Sequence, residues 1–232
     1  MNNERQTSLI SFVISVAFWF LLTNSLSMAI GILVLIFIHE MGHFYAARMR
    51  GMSVALPVFT PLGAMVRLNS YTANARDEAF VAFAGPLVGG IASLIVLALG
   101  HVLGGALLLQ LGVWGVVINL FNLVPLEPLD GGKISLAIER RLYFLGIPLF
   151  IYFMMQIGLS LFNLIMAALI LREAWTAIQM RNQQADVAPS FFRVSLLTRV
   201  GYAGAYAALA ALLAWVALLP GAFLKVLVSL GL

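Results

Sequence analysis

Long apolar runs separated by short polar links organise this chain. The first occupies residues 8–22, and the polar turn Thr23-Asn24-Ser25 separates it from a second at 26–49 that ends in Arg48 and Arg50. Further runs follow at 79–99 and 106–124, then a stretch at 143–171 and a last one at 201–219. About 20 consecutive apolar residues make a helix long enough to cross the hydrocarbon core of a bilayer. The pattern therefore predicts an all-α polytopic membrane protein with about six transmembrane helices. Residues 8–22, behind Arg5, also have the length of a signal-peptide core. No small-x-small cleavage site follows them, so they are read as the first span. The stretch at 143–171 is too long for one comfortable span and too short for two. It is either a single crossing or a shallow hairpin broken near Gly158.

Residues 52–69 depart from the helical pattern. Pro57, Pro61 and Gly63 punctuate an apolar stretch with β-branched residues, which predicts two short strands and a turn. Irregular backbone at membrane depth is tolerated only against protein or a wet cavity. The segment is therefore read as a small re-entrant β-hairpin between the second and third spans, with a surface loop dipping into the headgroups as the alternative. The polar link at 172–199 is the longest in the chain, and 134–142 reads as a short amphipathic helix.

Composition narrows the class. The chain is 62% hydrophobic and only 9% charged, whereas globular chains carry about 25% charged residues. Such a chain belongs in a lipid bilayer. The net charge of +4 comes from few groups, and no Lys/Arg stripe with interleaved aromatics appears, so no nucleic-acid partner is expected. Basic residues instead mark topology. Arg48, Arg50, Arg67 and Arg76 label one side, and Lys133, Arg140 and Arg141 return to it after two more crossings. The side of Arg172, Arg181, Arg193 and Arg199 depends on how 143–171 is folded. The absence of cysteine leaves His, Asp and Glu as the strong metal ligands.

Those ligands cluster. His39-Glu40-Met41-Gly42-His43 lies in the second half of the 26–49 run. Residues four apart share a helix face, so His39 and His43 can close on one metal ion while Glu40 reaches a water beside it. A catalytic zinc needs a third protein ligand. The candidates are Asp130, Glu127 and, more weakly, His101, Glu78 and Asp77. Asp130 is favoured because it follows the helix end broken by Pro125 and Pro128, with Gly131-Gly132 allowing a tight turn after it. Glu127 is either a neighbour of that site or a solvated loop residue. The stretch Phe83-Ala84-Gly85-Pro86-Leu87-Val88-Gly89-Gly90 is read as a kink and packing surface for the metal helix.

His39-Glu40-Met41-Gly42-His43, combined with Asn122-Leu123-Val124-Pro125 and Leu129-Asp130-Gly131-Gly132, resembles the site-2 protease family of intramembrane zinc metalloproteases. That family carries His-Glu-x-x-His on one helix and Asn-x-x-Pro followed by Leu-Asp-Gly on a later one. The Gly85-Pro86 pair is also similar. The family often has an asparagine three residues after such a pair, where Gly89 stands here. The resemblance covers residues 26–141 and implies that His39, His43 and Asp130 bind Zn2+, that Glu40 is the general base, and that Asn122 lies close to the reacting carbonyl. It assigns no substrate-binding residues. Chemistry agrees with these roles: zinc lowers the pKa of a bound water to about 7, a carboxylate takes its proton, and an amide side chain donates to the oxyanion.

The implied function is an intramembrane zinc metalloendopeptidase that cleaves membrane proteins with a single transmembrane helix, as in regulated intramembrane proteolysis. The expected division is a first transmembrane segment at 1–25, a catalytic membrane core at 26–141, and C-terminal membrane segments at 142–232 with a polar loop at 172–200. The expected setting is a bacterial or archaeal cell membrane, multi-pass, with the active site nearer the cytoplasmic face. No room is seen for the family's soluble regulatory modules, so regulation is expected from partners (a regulatory membrane partner among them), the 172–200 loop or shedding of the substrate by another protease. Two other readings compete. A membrane metal-binding or transport protein would leave Glu40 without a role, and no internal repeat is seen. A non-catalytic relative that only binds membrane helices would not need the full set of ligands and base.

Overall fold

The computed structural model describes residues 2–60, 63–65, 72–157 and 161–218. Arg67, Gly158 and the tail carrying Pro220, Gly221 and Lys225 lie outside them. The described residues are almost entirely helical: α1 Asn2–Thr23, α2 Leu26–Met49, α3 Ala75–Leu103, α4 Ala106–Asn122, α5 Asp130–Ile138, α6 Tyr143–Ile157, α7 Leu161–Val187 and α8 Leu196–Leu218. Two three-residue strands, β1 Val58–Thr60 and β2 Gly63–Met65, pair antiparallel with Val58 opposite Met65. Where about six crossings are expected, three helices among the described residues are long and apolar enough to span a membrane: α2, α3 and α8. Two shorter apolar helices, Ile10–Thr23 and Ala106–Asn122, accompany them.

The chain divides into two compact units. The first contains residues 1–71, 84–119 and 212–232. Its α1–α2 turn follows from two residues. Asn24 takes a positive φ of 51°, a conformation that asparagine tolerates better than most side chains, and its N–H bonds to the Phe20 carbonyl at 2.7 Å. Ser25 then caps α2 by accepting from the Met28 N–H at 3.4 Å, which satisfies one orphan donor of the new helix. Trp19, Met28, Ile32, Leu33, Ile36 and Leu111 contribute to the core behind this turn. Later in the unit, α3 and α4 meet backbone to backbone. A Cβ placed on Gly112 would lie 2.6 Å from the Leu97 Cα. Membrane helices gain most from such contacts, since lipid offers no hydrophobic drive for their association.

The second unit contains residues 72–83 and 120–211. Val124, Leu126 and Leu129 of the link after α4 form a core with Phe150 of α6 and Ala174 of α7. Phe121 packs on Phe150 and Phe153 with ring centroids 5.9 and 4.9 Å apart. Three sequence expectations meet the structure here. First, α6 ends at Ile157 and α7 starts at Leu161, so 143–171, read as either one crossing or a broken hairpin, holds all of α6 and the first part of α7. Second, the expected polar loop at 172–200 is mostly helix. No glycine or proline interrupts 172–187, and α7 runs on to Val187 before a 3-10 turn at Pro189–Phe192. Third, the short amphipathic helix starts earlier than 134. Asp130, Gly131 and Gly132 are the first residues of α5, and the 3-10 turn Arg140–Leu142 follows it. The glycines serve close approach rather than a flexible turn: a Cβ on Gly131 would sit 2.3 Å from the Leu123 carbonyl oxygen, and one on Gly132 2.2 Å from the Glu127 nitrogen.

Candidate metal centre

Helix α2 presents His39 and His43 on its buried face, one turn apart. Their rings meet nearly at right angles with centroids 4.8 Å apart, and the two Nε2 atoms are 3.0 Å from each other. Two imidazoles on one tetrahedral zinc, each at its usual bond length, hold their nitrogens about 3.4 Å apart. The pair is thus within a few tenths of an ångström of that spacing. The room for the rings comes from α3. A Cβ on Gly85 would fall 2.2 Å from His43 Nε2 and 2.9 Å from His39 Nε2. Gly42 lets α2 approach closely enough that its own Cβ would lie 2.5 Å from the Ala84 carbonyl oxygen. The Gly85-Pro86 stretch is therefore a packing surface for the metal helix.

A residue that the sequence reading passed over sits behind His39. Asn119 of α4 is 1% exposed, and its Oδ1 is 2.8 Å from His39 Nδ1. The amide nitrogen donates to the Gly115 carbonyl at 2.8 Å and lies 3.5 Å from Ser93 Oγ. Ser93, also buried, donates to the Gly89 carbonyl at 2.6 Å. Gly89 explains its own presence: a Cβ there would be 2.4 Å from Asn119 Oδ1 and 2.9 Å from the His39 Cβ. An asparagine at 89 would occupy the space that the Asn119 amide fills from the other helix. The available signal was a polar residue inside an apolar helix, which is by default functional. It lies one turn before Asn122.

The second unit holds the carboxylates considered as third ligands. Asp130 is buried at the start of α5, where the helix dipole favours negative charge, and Lys133 Nζ stands 3.9 Å from it. Glu127 and Glu78 are not arranged as ligands. Both bind Arg181 of α7: its Nε donates to Glu127 at 2.9 Å, and its Nη2 forms a short contact with Glu78. Glu127 is accordingly not a solvated loop residue. Burial pulls the Arg181 pKa down, and the two carboxylates outweigh it, so the value is raised overall. Asp77 accepts from Asn74 Nδ2 at 3.0 Å. His101 is exposed near the end of α3. Asn122 is the last residue of α4 and half-buried, as is Glu40 on α2.

His39, His43 and Asp130, all buried, form a possible metal-binding group: one ligand atom from each lies within 4.8 Å of the others. Two imidazoles and a carboxylate are a donor set of the kind catalytic zinc uses, leaving one coordination position open. Gly85 places no side chain against either Nε2 atom: a Cβ there would fall 2.2 and 2.9 Å from them. The residues present therefore fit the ion.

The described residues thus combine three candidate membrane spans with a possible metal-binding group. Comparison with known proteins narrows the class. Residues 27–110, the stretch that includes His39, Glu40, His43 and Gly85, match the model of Peptidase family M50. The resemblance read from the motifs is borne out by this match and by the similar proteins. The chain is 28% identical over 149 residues to "Zinc metalloprotease MJ0392" of Methanocaldococcus jannaschii, across 60% of this chain and 43% of that protein. It is 30% identical over 149 residues to "Probable zinc metalloprotease EGY2, chloroplastic" of Oryza sativa, across 45% of this chain and 27% of that one. It is also 30% identical over 131 residues to Rip3 of Mycobacterium tuberculosis, across 53% and 33% respectively. The chain spans less than half the length of these curated relatives.

Proposed function

We propose that this chain is an intramembrane zinc metalloendopeptidase that cleaves the membrane-spanning segments of other proteins. The observation that carries the reading is the grouping of His39, His43 and Asp130 with Glu40 adjacent in sequence to the first ligand. The names of the similar proteins support the same chemistry. His39, His43 and Asp130 would hold Zn2+, which when bound supplies Lewis acidity and an acidified water. Glu40 takes the proton of the attacking water and delivers it to the leaving amine. The Asn122 amide donates to the carbonyl oxygen as it gains charge.

The substrate class follows from depth. The metal helix α2 is a candidate membrane span, so the scissile bond belongs to a segment that also enters the bilayer. A helix keeps its carbonyls in its own hydrogen bonds, so the substrate must unwind before attack. We read β1 and β2 as a re-entrant pair whose free edge holds the unwound stretch as an added strand.

Arg181 bears on topology. It ties α7 to Glu78, at the start of α3, and to Glu127, and Tyr202 of α8 donates to the Arg76 carbonyl at 3.1 Å. These contacts support placing the end of α7 and the start of α8 on the side of Arg76, with α6 and α7 returning to it together. By the positive-inside rule that side is cytoplasmic.

Glu40→Gln tests the mechanism. Purified wild type and variant are compared for bound zinc and for cleavage of a model single-span substrate in detergent or liposomes. The expected result is zinc retained and cleavage lost. Cleavage that survives rejects Glu40 as the base, and a wild type that binds no zinc rejects the metal reading.

A further inference from the structure

We propose that Asn119 is the positioning residue that sets the tautomer of His39, so that His39 meets the metal through Nε2. This rests on the metal reading above and adds a role to a residue outside the ligand and base motifs. Hydrogen-bond polarity fixes the position of the proton. A backbone carbonyl accepts and cannot donate, so the Gly115 carbonyl, 2.8 Å from Asn119 Nδ2, fixes which end of the amide carries the NH2 group. The Asn119 oxygen is thereby turned toward His39 Nδ1 at 2.8 Å. An amide oxygen only accepts, so Nδ1 must carry the proton. A neutral imidazole protonated at Nδ1 has its lone pair on Nε2, the atom that lies 3.0 Å from His43 Nε2.

The packing is built to hold this arrangement. Asn119 is 1% exposed, and the glycines at 89 and 115 bring α3 and α4 against it. A Cβ on Gly115 would sit 2.2 Å from Ser93 Oγ, and the serine, the amide and the imidazole are all buried. Metal-binding histidines generally direct their second nitrogen to an oxygen that fixes the ring, and losing that oxygen costs about 10–100-fold in metal affinity. Here the oxygen comes from an amide on the neighbouring helix, in the space that a side chain at position 89 would take.

The test uses the full-length protein in detergent, labelled with 15N-histidine. The chain has three histidines, so assignment by single substitution is direct. In the zinc-loaded wild type, His39 is expected to show a protonated, exchange-protected Nδ1 and a metal-bound Nε2. A parallel chelator competition compares wild type with Asn119→Leu, for which zinc affinity is expected to fall about 10–100-fold. The Leu variant should also lose exchange protection at Nδ1. A zinc-loaded wild type whose His39 is coordinated through Nδ1 overturns the proposal. So does an Asn119→Leu protein that holds zinc as tightly as wild type. The wild-type spectrum decides the matter even where the variant does not fold. A wild type that takes up no zinc rejects the metal reading itself, a different outcome.

Discussion

Gly85→Ala is the most direct test of how the histidine pair is housed. The new methyl carbon would lie 2.2 Å from His43 Nε2 and 2.3 Å from its Cε1, short of ordinary contact by about 1.2 Å. Two escapes exist. Helix α3 can retreat from α2, or the imidazole can swing away. The first gives up the close backbone packing between Gly42 and Ala84. The ring therefore moves, and it leaves the position where its Nε2 faces that of His39. Overfilling a packed site costs about 1–3 kcal/mol, which the metal-free protein can largely avoid through ring rotation. The zinc-bound protein cannot. Zinc affinity should fall by at least the 10–100-fold seen for disturbed ligand orientation, or about 1.4–2.8 kcal/mol. Chelator competition measures the affinity, and thermal unfolding of the metal-free protein measures the fold. Undiminished zinc affinity in a folded Gly85→Ala protein would refute the reasoning.

Further expectations concern the supports around the site. Gly204→Ala in α8 adds a methyl with nothing within 4 Å, and its melting temperature should match or slightly exceed wild type, whereas Gly131→Ala should lower it. Arg181→Met leaves Glu78 and Glu127 without their shared cation, and losing these charged hydrogen bonds should cost about 1.5–3 kcal/mol in denaturant titration. Adding Glu127→Gln to that variant should recover part of the loss. Tyr206 donates to the Leu123 carbonyl just after α4. Tyr206→Phe leaves that carbonyl without the donor and should destabilise by about 1–3 kcal/mol, read as faster amide exchange in 123–129. Proline substitutions along the free edge of β1 or β2 should impair cleavage with zinc content unchanged, and unaltered cleavage would remove the added-strand idea.

The proposed metal ligands could be picked out in the sequence because such chemistry forces a spacing. His39 and His43 are four apart for any helix that binds one ion with both, and Asp130 stands beside prolines that announce a helix end. What surrounds them was less readable. The spans blur where charge and length disagree: α7 keeps going through Arg172 and Arg181 because the helix formers there outweigh the polar pattern. Glu127 stayed open between a site neighbour and a solvated residue because its partner lies 54 positions later, a separation no local pattern encodes. Asn119 was hidden for a related reason. Its role depends on Gly89, and only helix packing shows that the glycine's missing side chain and the amide occupy the same volume.

The glycine lining has a consequence for how substitutions are tolerated. Around the histidine pair, Gly42, Gly85, Gly89 and Gly115 all face atoms closer than a methyl group permits, yet none carries a group that could react or ligate. A saturation scan scored on metal binding would report them as being as intolerant as His39 itself. Their signature would differ in kind: every replacement fails in order of size, with alanine the least severe, whereas ligand positions fail in order of donor chemistry. Sorting the intolerant positions by that criterion would draw the outline of the chamber from the scan alone, separating the residues that act from those whose absence of bulk makes the action fit.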